Sequence, residues 1–146
     1  MPFDALTDPA AVELPPKPAR WPRTPNKQEV LRPSLDLSDT AVVWLLLARL
    51  KYDPASWARG VYWTHDAACL VGWMQNYTET TNKPVWWNAQ SKRVLRLIHD
   101  ALPRSAQRPY AVLHEVIGRY NDTHGHPAII RVLERAYARA KAAETA

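Results

Sequence analysis

Cysteine is nearly absent from this chain: Cys69 is the only one in 146 residues. No intrachain disulfide can form, so the chain suits a reducing compartment. Glycine is scarce as well, with four in all. The glycine-rich loops that cradle phosphates are missing, and so are the G-x-S-x-G elbow and the H-E-x-x-H zinc motif. Carboxylates are few and scattered, with no pair placed for general acid and base work. No apolar run approaches the ~20 residues that cross a bilayer. The start, MPFDALTDPA, lacks the basic residues and apolar stretch of a signal peptide. These absences lead to the expectation of a soluble, cytoplasmic protein with no membrane association, no enzymatic activity and no cofactor.

What is present in excess is tryptophan and proline: seven Trp against one Phe, and 13 Pro against four Gly. The length is that of one domain with a real core. The formal charge of +5 permits an acidic partner without demanding one. The stretch around which the rest is organised is Ala41 to Leu50, AVVWLLLARL, whose first eight residues are all apolar. As a helix those eight span about 12 Å, apolar on every side, which suits the centre of a core. Val42, Val43 and Trp44 would also suit a buried strand. Ser38, Asp39 and Thr40 offer N-caps before the run and Asp53-Pro54 ends it, which favours helix.

Residues 1–37 read as an extended, Pro-rich arm. Eight of the 13 prolines and none of the glycines lie there. Proline fixes φ and disfavours helix in the residue before it, so LPPKPARWPRTP should be extended. Trp21, Val30 and Leu31 provide apolar anchors that would dock the arm as a strap; a passive disordered tail is the other reading. Its five basic residues balance its five acidic ones, so the whole net charge lies on residues 38–146, the single helical domain.

Apolar spacing and boundary residues predict helices near 38–52, 64–77, 88–102, 109–120 and 127–142. Thr64 or Asp66 would cap the second, with Ala67, Leu70, Val71 and Met74 inward. Asn88 would cap the third, with Val94, Leu95, Ile98, Ala101 and Leu102 as its core stripe. Pro109 and Pro127 would open the fourth and fifth as first-turn prolines. Gly125 would supply a left-handed turn position between them, and KAAETA would fray at the end. No strand alternation is long enough for a sheet. The fold class expected is all-α, a compact bundle of about five helices with an extended Pro-rich N-terminal arm.

Three groups of residues carry candidate chemistry. His65 and Cys69 are four apart, which on a helix could pair a thiol with a base. Cys69 also belongs to the apolar stripe, where a thiol is an inert packing group, and that is the expectation. Asp122, His124 and His126 form D-x-H-x-H, a conceivable zinc site if His65 or His114 added a ligand. Solvated turn residues explain the same pattern, and no metal is assigned. The third group interleaves cations with indoles. Arg23 lies beside Trp21, and Lys83 beside Trp86 and Trp87, a pair that cannot both point inward. Lys92, Arg93 and Arg96 share an outer helix side. Arg131, Arg135 and Arg139 run down one helix edge. Trp and Arg are the residues of protein-binding hot spots, and stacked aromatics with cations also hold single-stranded nucleic acid.

Two islands resemble a small family of actinobacterial and phage proteins classed as a domain of unknown function. Cys69-Leu70-Val71-Gly72-Trp73-Met74 is similar to its Cys-Ala-Leu-Gly-Ala-Leu helix. Tyr120-Asn121-Asp122, the turn after it and the helix from Ile130 to Ala140 resemble its Trp-Asn-Asp, turn and closing helix. The similarity covers roughly residues 40–140. Trp73 replaces a small residue, and the arm lies outside the pattern. The resemblance implies an all-helical fold, a link to phages or mobile elements and, if phage-encoded, the host cytoplasm; it implies no activity.

The function expected from all this is non-enzymatic binding to a protein partner, host machinery or a phage assembly, through exposed Trp and Arg. The alternative is nucleic-acid binding through the basic helix edges and Trp stacking. A homo-oligomer joined through the arm is a further arrangement the sequence allows.

Overall fold

Asp39–Tyr52 forms helix α1 and runs through the middle of the core. In the computed structural model, which describes residues 16–17, 37–60, 67–78 and 89–145, Val42, Val43, Leu46 and Leu50 are all completely buried. The reason is the one legible in the sequence: a helix without a polar face has to be covered on all sides. Ser38 caps it, its Oγ accepting the Ala41 N–H at 3.1 Å. Four further helices follow: α2 Leu70–Tyr77, α3 Ala89–Asp100, α4 Leu113–Thr123 and α5 His126–Thr145. Helix α1 packs most extensively on α5 and also against α2 and α3, while α4 lies against α2 and α3. The fold is all-α, with a single isolated bridge, Trp57 to Ala68, among the described residues. No helix among them is long and apolar enough to cross a membrane.

The expected arm lies outside the described residues apart from Pro16, Lys17 and Leu37. The caps assigned to Thr64, Asp66 and Asn88 lie outside them too. Gln90 donates to the Leu37 carbonyl, and Arg93 grips Asp39 with two hydrogen bonds of 2.7 and 3.2 Å. The entrance to α1 is thus tied to the first turn of α3.

Three helix boundaries and one turn position differ from the sequence expectation. Helix α2 begins at Leu70, because Ala68 spends both backbone groups on the 56–58 segment: its N–H goes to Ser56 O and its C=O accepts from Ala58 N–H. Cys69 is then extended and becomes the N-cap, with Sγ accepting the Gly72 N–H at 3.4 Å. Helix α4 begins at Leu113, since residues 109–112 form a turn after Arg108 and Val112 is extended. Pro109 is therefore a turn residue. Gly125 needs no left-handed conformation: its carbonyl accepts the Ala128 N–H as α5 starts, and Gly60, at φ 79°, is the one glycine with positive φ among the described residues. Finally α5 continues to Thr145, so residues 141–145 of the stretch expected to fray are helical. Trp44, expected in the core, is only partly buried, whereas Trp73 is completely buried. The Trp73 indole donates to Ser56 O at 2.9 Å, and the Arg49 guanidinium lies 4.4 Å over its ring.

Candidate functional site

The two sequence islands singled out by resemblance meet in one buried joint. Asn121, with no exposed surface, sits in α4 facing the start of α2. Its Oδ1 accepts the Trp57 indole N–H at 2.7 Å and the Leu70 N–H at 3.1 Å. Its Nδ2 donates to Ala58 O and to Asp122 Oδ1, both at 3.1 Å. Asp122 Oδ1 also accepts the Gly60 N–H at 2.7 Å, and Arg59 donates to His124 O. A helix start leaves its first N–H groups without intrahelical acceptors. Here Asn121 takes that of Leu70 and Cys69 that of Gly72. These residues therefore lock α2 and the 57–60 segment onto α4. Burial pushes the Cys69 thiol up from its ordinary titration, against the pull of the Gly72 N–H. It is a packing and capping thiol, poorly suited to be a nucleophile.

The D-x-H-x-H residues do not converge. His126 Nε2 donates to Leu50 O at 2.7 Å and its ring meets Trp57 edge-on. His124 stacks on Tyr120 at 3.7 Å, with Nδ1 3.0 Å from Tyr120 O. Asp122 faces Gly60. No group of three metal-binding side chains occurs among the described residues.

A second constellation lies at the other end of the bundle, after α3. Pro103 stops that helix, and the chain crosses to α4 through residues 103–112. Side chains meet the carbonyls at the end of α3 and just past it. Arg139 and Gln107 donate to Asp100 O, Arg135 to Ala101 O at 3.1 Å and Gln107 to Leu102 O at 2.9 Å. His99, completely buried, accepts the Arg108 N–H on Nε2 at 2.9 Å and donates from Nδ1 to Asp100 Oδ1 at 2.9 Å. The carboxylate and the backbone N–H together fix that tautomer.

A crossing so anchored still displays apolar side chains. Tyr110 is fully exposed at 102% and Val112 is 51% exposed. Two hollows flank Val112 and share it and Glu115 as a common wall. One, of about 580 Å³, is floored by Ala106, Val116 and Tyr120 and edged by Arg108 and Arg119. The other, of about 550 Å³, lies between α3 and α4 over Leu95 and Leu113, and Lys92 and Arg96 edge it. His114 lines this second hollow; its burial lowers the imidazole's proton affinity, an effect partly offset by the Glu115 carboxylate. Lys92, Arg96 and Arg119 have no ion-pair partner among the described residues, and all are exposed.

The residues expected to bind a partner are thereby divided. Lys92 and Arg96 stand at the rim of a hollow. Arg93, on the same helix, is engaged by Asp39. Arg135 and Arg139 turn back onto α3, where they cap its carbonyls, and only Arg131 of that row is exposed. Trp21, Arg23, Trp86 and Trp87 lie outside the described residues. Sequence reasoning missed Asn121, although an amide on an apolar helical stripe beside Tyr120 was a usable signal. It also missed Tyr110 and Val112, because the residues from Pro109 onward were read as helix.

No protein-family model, curated protein or solved structure matches this chain.

Proposed function

We propose that this chain is a non-enzymatic protein-binding module whose docking face is the Tyr110–Val112 ridge and its two hollows. The observation that carries this is an exposed aliphatic side chain, Val112, standing between two apolar-floored hollows rimmed by cations, with the fully exposed Tyr110 two residues before it. Interfaces of this kind have an apolar centre with Tyr and Arg anchors and a polar rim. With Lys92, Arg96 and Arg119 around a single carboxylate, Glu115, the partner that fits is an acidic segment bearing apolar anchors. The link to phages or mobile elements belongs to the same proposal and rests on the two sequence islands alone. Nucleic-acid binding along the α5 edge has less support, since Arg135 and Arg139 are spent on the α3 carbonyls.

Tyr110→Ala with Val112→Ser should leave the fold intact and weaken partner capture from nuclease-treated lysate. Truncating a central tyrosine anchor costs about 2 kcal/mol, roughly a 30-fold loss of affinity. Capture unchanged by both substitutions would refute this face. Binding that disappears with nuclease, or falls by orders of magnitude over a few-fold rise in salt, would replace the protein partner with nucleic acid.

A further inference from the structure

We infer that His99 is a proton-operated latch on the 103–112 crossing, and so regulates the docking face proposed above, on which this inference rests. The crossing holds Tyr110 and Val112 in place largely through its attachment to the end of α3. The His99 attachment is chemically different from the others. Gln107 of the crossing donates to the Asp100 and Leu102 carbonyls, whose bonding does not depend on pH in the ordinary range. The Arg108 N–H is received by an imidazole nitrogen lone pair, at 2.9 Å.

A proton added to His99 must go to Nε2, because Nδ1 already carries the hydrogen given to Asp100. Nε2–H then faces the Arg108 N–H, donor against donor, and the bond is lost. The closed crossing and the protonated ring exclude one another. Charged groups stand around the ring on several sides. Asp100, on the same helix, accepts from Nδ1. From α5, Arg135 and Arg139 reach the adjoining carbonyls. From the crossing, the Arg108 guanidinium is turned to Ser105 O and Gln107 O. From α4, His114 and Glu115 lie by Leu95, one turn earlier on α3. On α1, Arg49 lies over Trp73 and Asp39 holds Arg93, and α2 offers only Tyr77 as a titratable side chain. By linkage, each pH unit over which the freed imidazole takes up its proton multiplies the open-to-closed ratio by up to ten. Acid therefore opens the crossing and dissolves the docking face, while the five-helix core, which does not depend on this bond, stays closed.

Amide hydrogen exchange of the whole chain between pH 7.5 and 5.0, corrected for intrinsic rates, tests this without a partner. The Arg108 amide should lose at least tenfold in protection, and at every pH it should exchange faster than amides in the centre of α5, such as that of Leu133, which open only with the whole fold. An Arg108 amide with constant protection overturns the latch. Equal protection of Arg108 and Leu133 at pH 5.0 also overturns it, because the crossing then opens only with the whole fold. His99→Gln, which keeps a carbonyl acceptor and cannot titrate, should abolish the pH dependence at Arg108. Should that variant fail to fold, His99→Asn, a shorter amide that cannot titrate, replaces it. A pH dependence at Arg108 that persists in the folded amide variant overturns the latch. The exchange readout stands apart from the docking reading, which fails or survives on Tyr110→Ala.

Discussion

Asn121 is where a single substitution should cost most. In Asn121→Ala the Trp57 indole N–H and the Leu70 N–H lose their shared acceptor and the Ala58 carbonyl loses a donor. A buried polar group left without a partner costs ~1–3 kcal/mol. The Leu70 N–H is buried, whereas the bonds at Trp57 and Ala58 are part-buried, so the three together should cost about 3–5 kcal/mol. Against a typical stability of ~5–15 kcal/mol for a domain, that is a large share. Urea denaturation followed by circular dichroism should show a lower midpoint with the slope little changed. Asn121→Asp separates the two ends of the side chain. It keeps the acceptor for Trp57 and Leu70 but sets a carboxylate oxygen against Ala58 O and Asp122. Burial beside that second carboxylate raises the titration of the introduced carboxyl above its unfolded value of about 3.9. The folded state then holds the proton more tightly, so the penalty is small at acid pH and grows as pH rises from about 4 through the folded value. An Ala variant costing under about 1 kcal/mol, or an Asp variant as stable as the parent at pH 7, would refute the joint.

Other expectations are quickly tested. Cys69→Ser should change stability by under about 1 kcal/mol, because a serine hydroxyl is a good N-cap for the Gly72 N–H and is not left unpaired; thermal denaturation measures this, and thiol reagents should react slowly with the native parent protein. Arg135→Ala should cost about 1 kcal/mol through the lost bond to Ala101 O, with exchange of the last α3 amides accelerated. His114 has its proton affinity lowered by burial, so the stability due to its neutral form is complete above about pH 6.5 and is lost as pH falls through that value; His114→Gln should flatten the stability curve between pH 7 and 5. Arg93→Ala should lower the melting temperature slightly at low salt and not at high salt, since the pair with Asp39 is exposed.

Much of the architecture was legible because it depends on apolar spacing alone. The α1 run has no polar face, and the stripes Val94, Leu95, Ile98 and Ile129, Leu133, Ala136 recur at helical period. All of them are buried where that period puts them. Cys69 was placed correctly as a buried thiol for the same reason. The misjudged boundaries lie where a backbone group is claimed by a residue far along the chain. Ala68 pairs with Ser56 and Ala58, and the Arg108 N–H with His99; local propensity carries no trace of either.

The candidate site divides along the same line. That Lys92, Arg93 and Arg96 share an outer side of one helix follows from 3.6-residue periodicity. That Arg93 is held by Asp39 while Lys92 and Arg96 border a hollow depends on which helix arrives beside α3. The row Arg131, Arg135 and Arg139 looked like a continuous basic edge. The approach of α3's C-terminus turned two of its three guanidiniums inward, because carbonyls at a helix end need donors and α5 is the element that supplies them. Sequence by itself determined which residues had to be buried, since hydrophobic patterning is local. Only the tertiary structure decided which polar groups met, and so which cations and which aromatic were left facing outward.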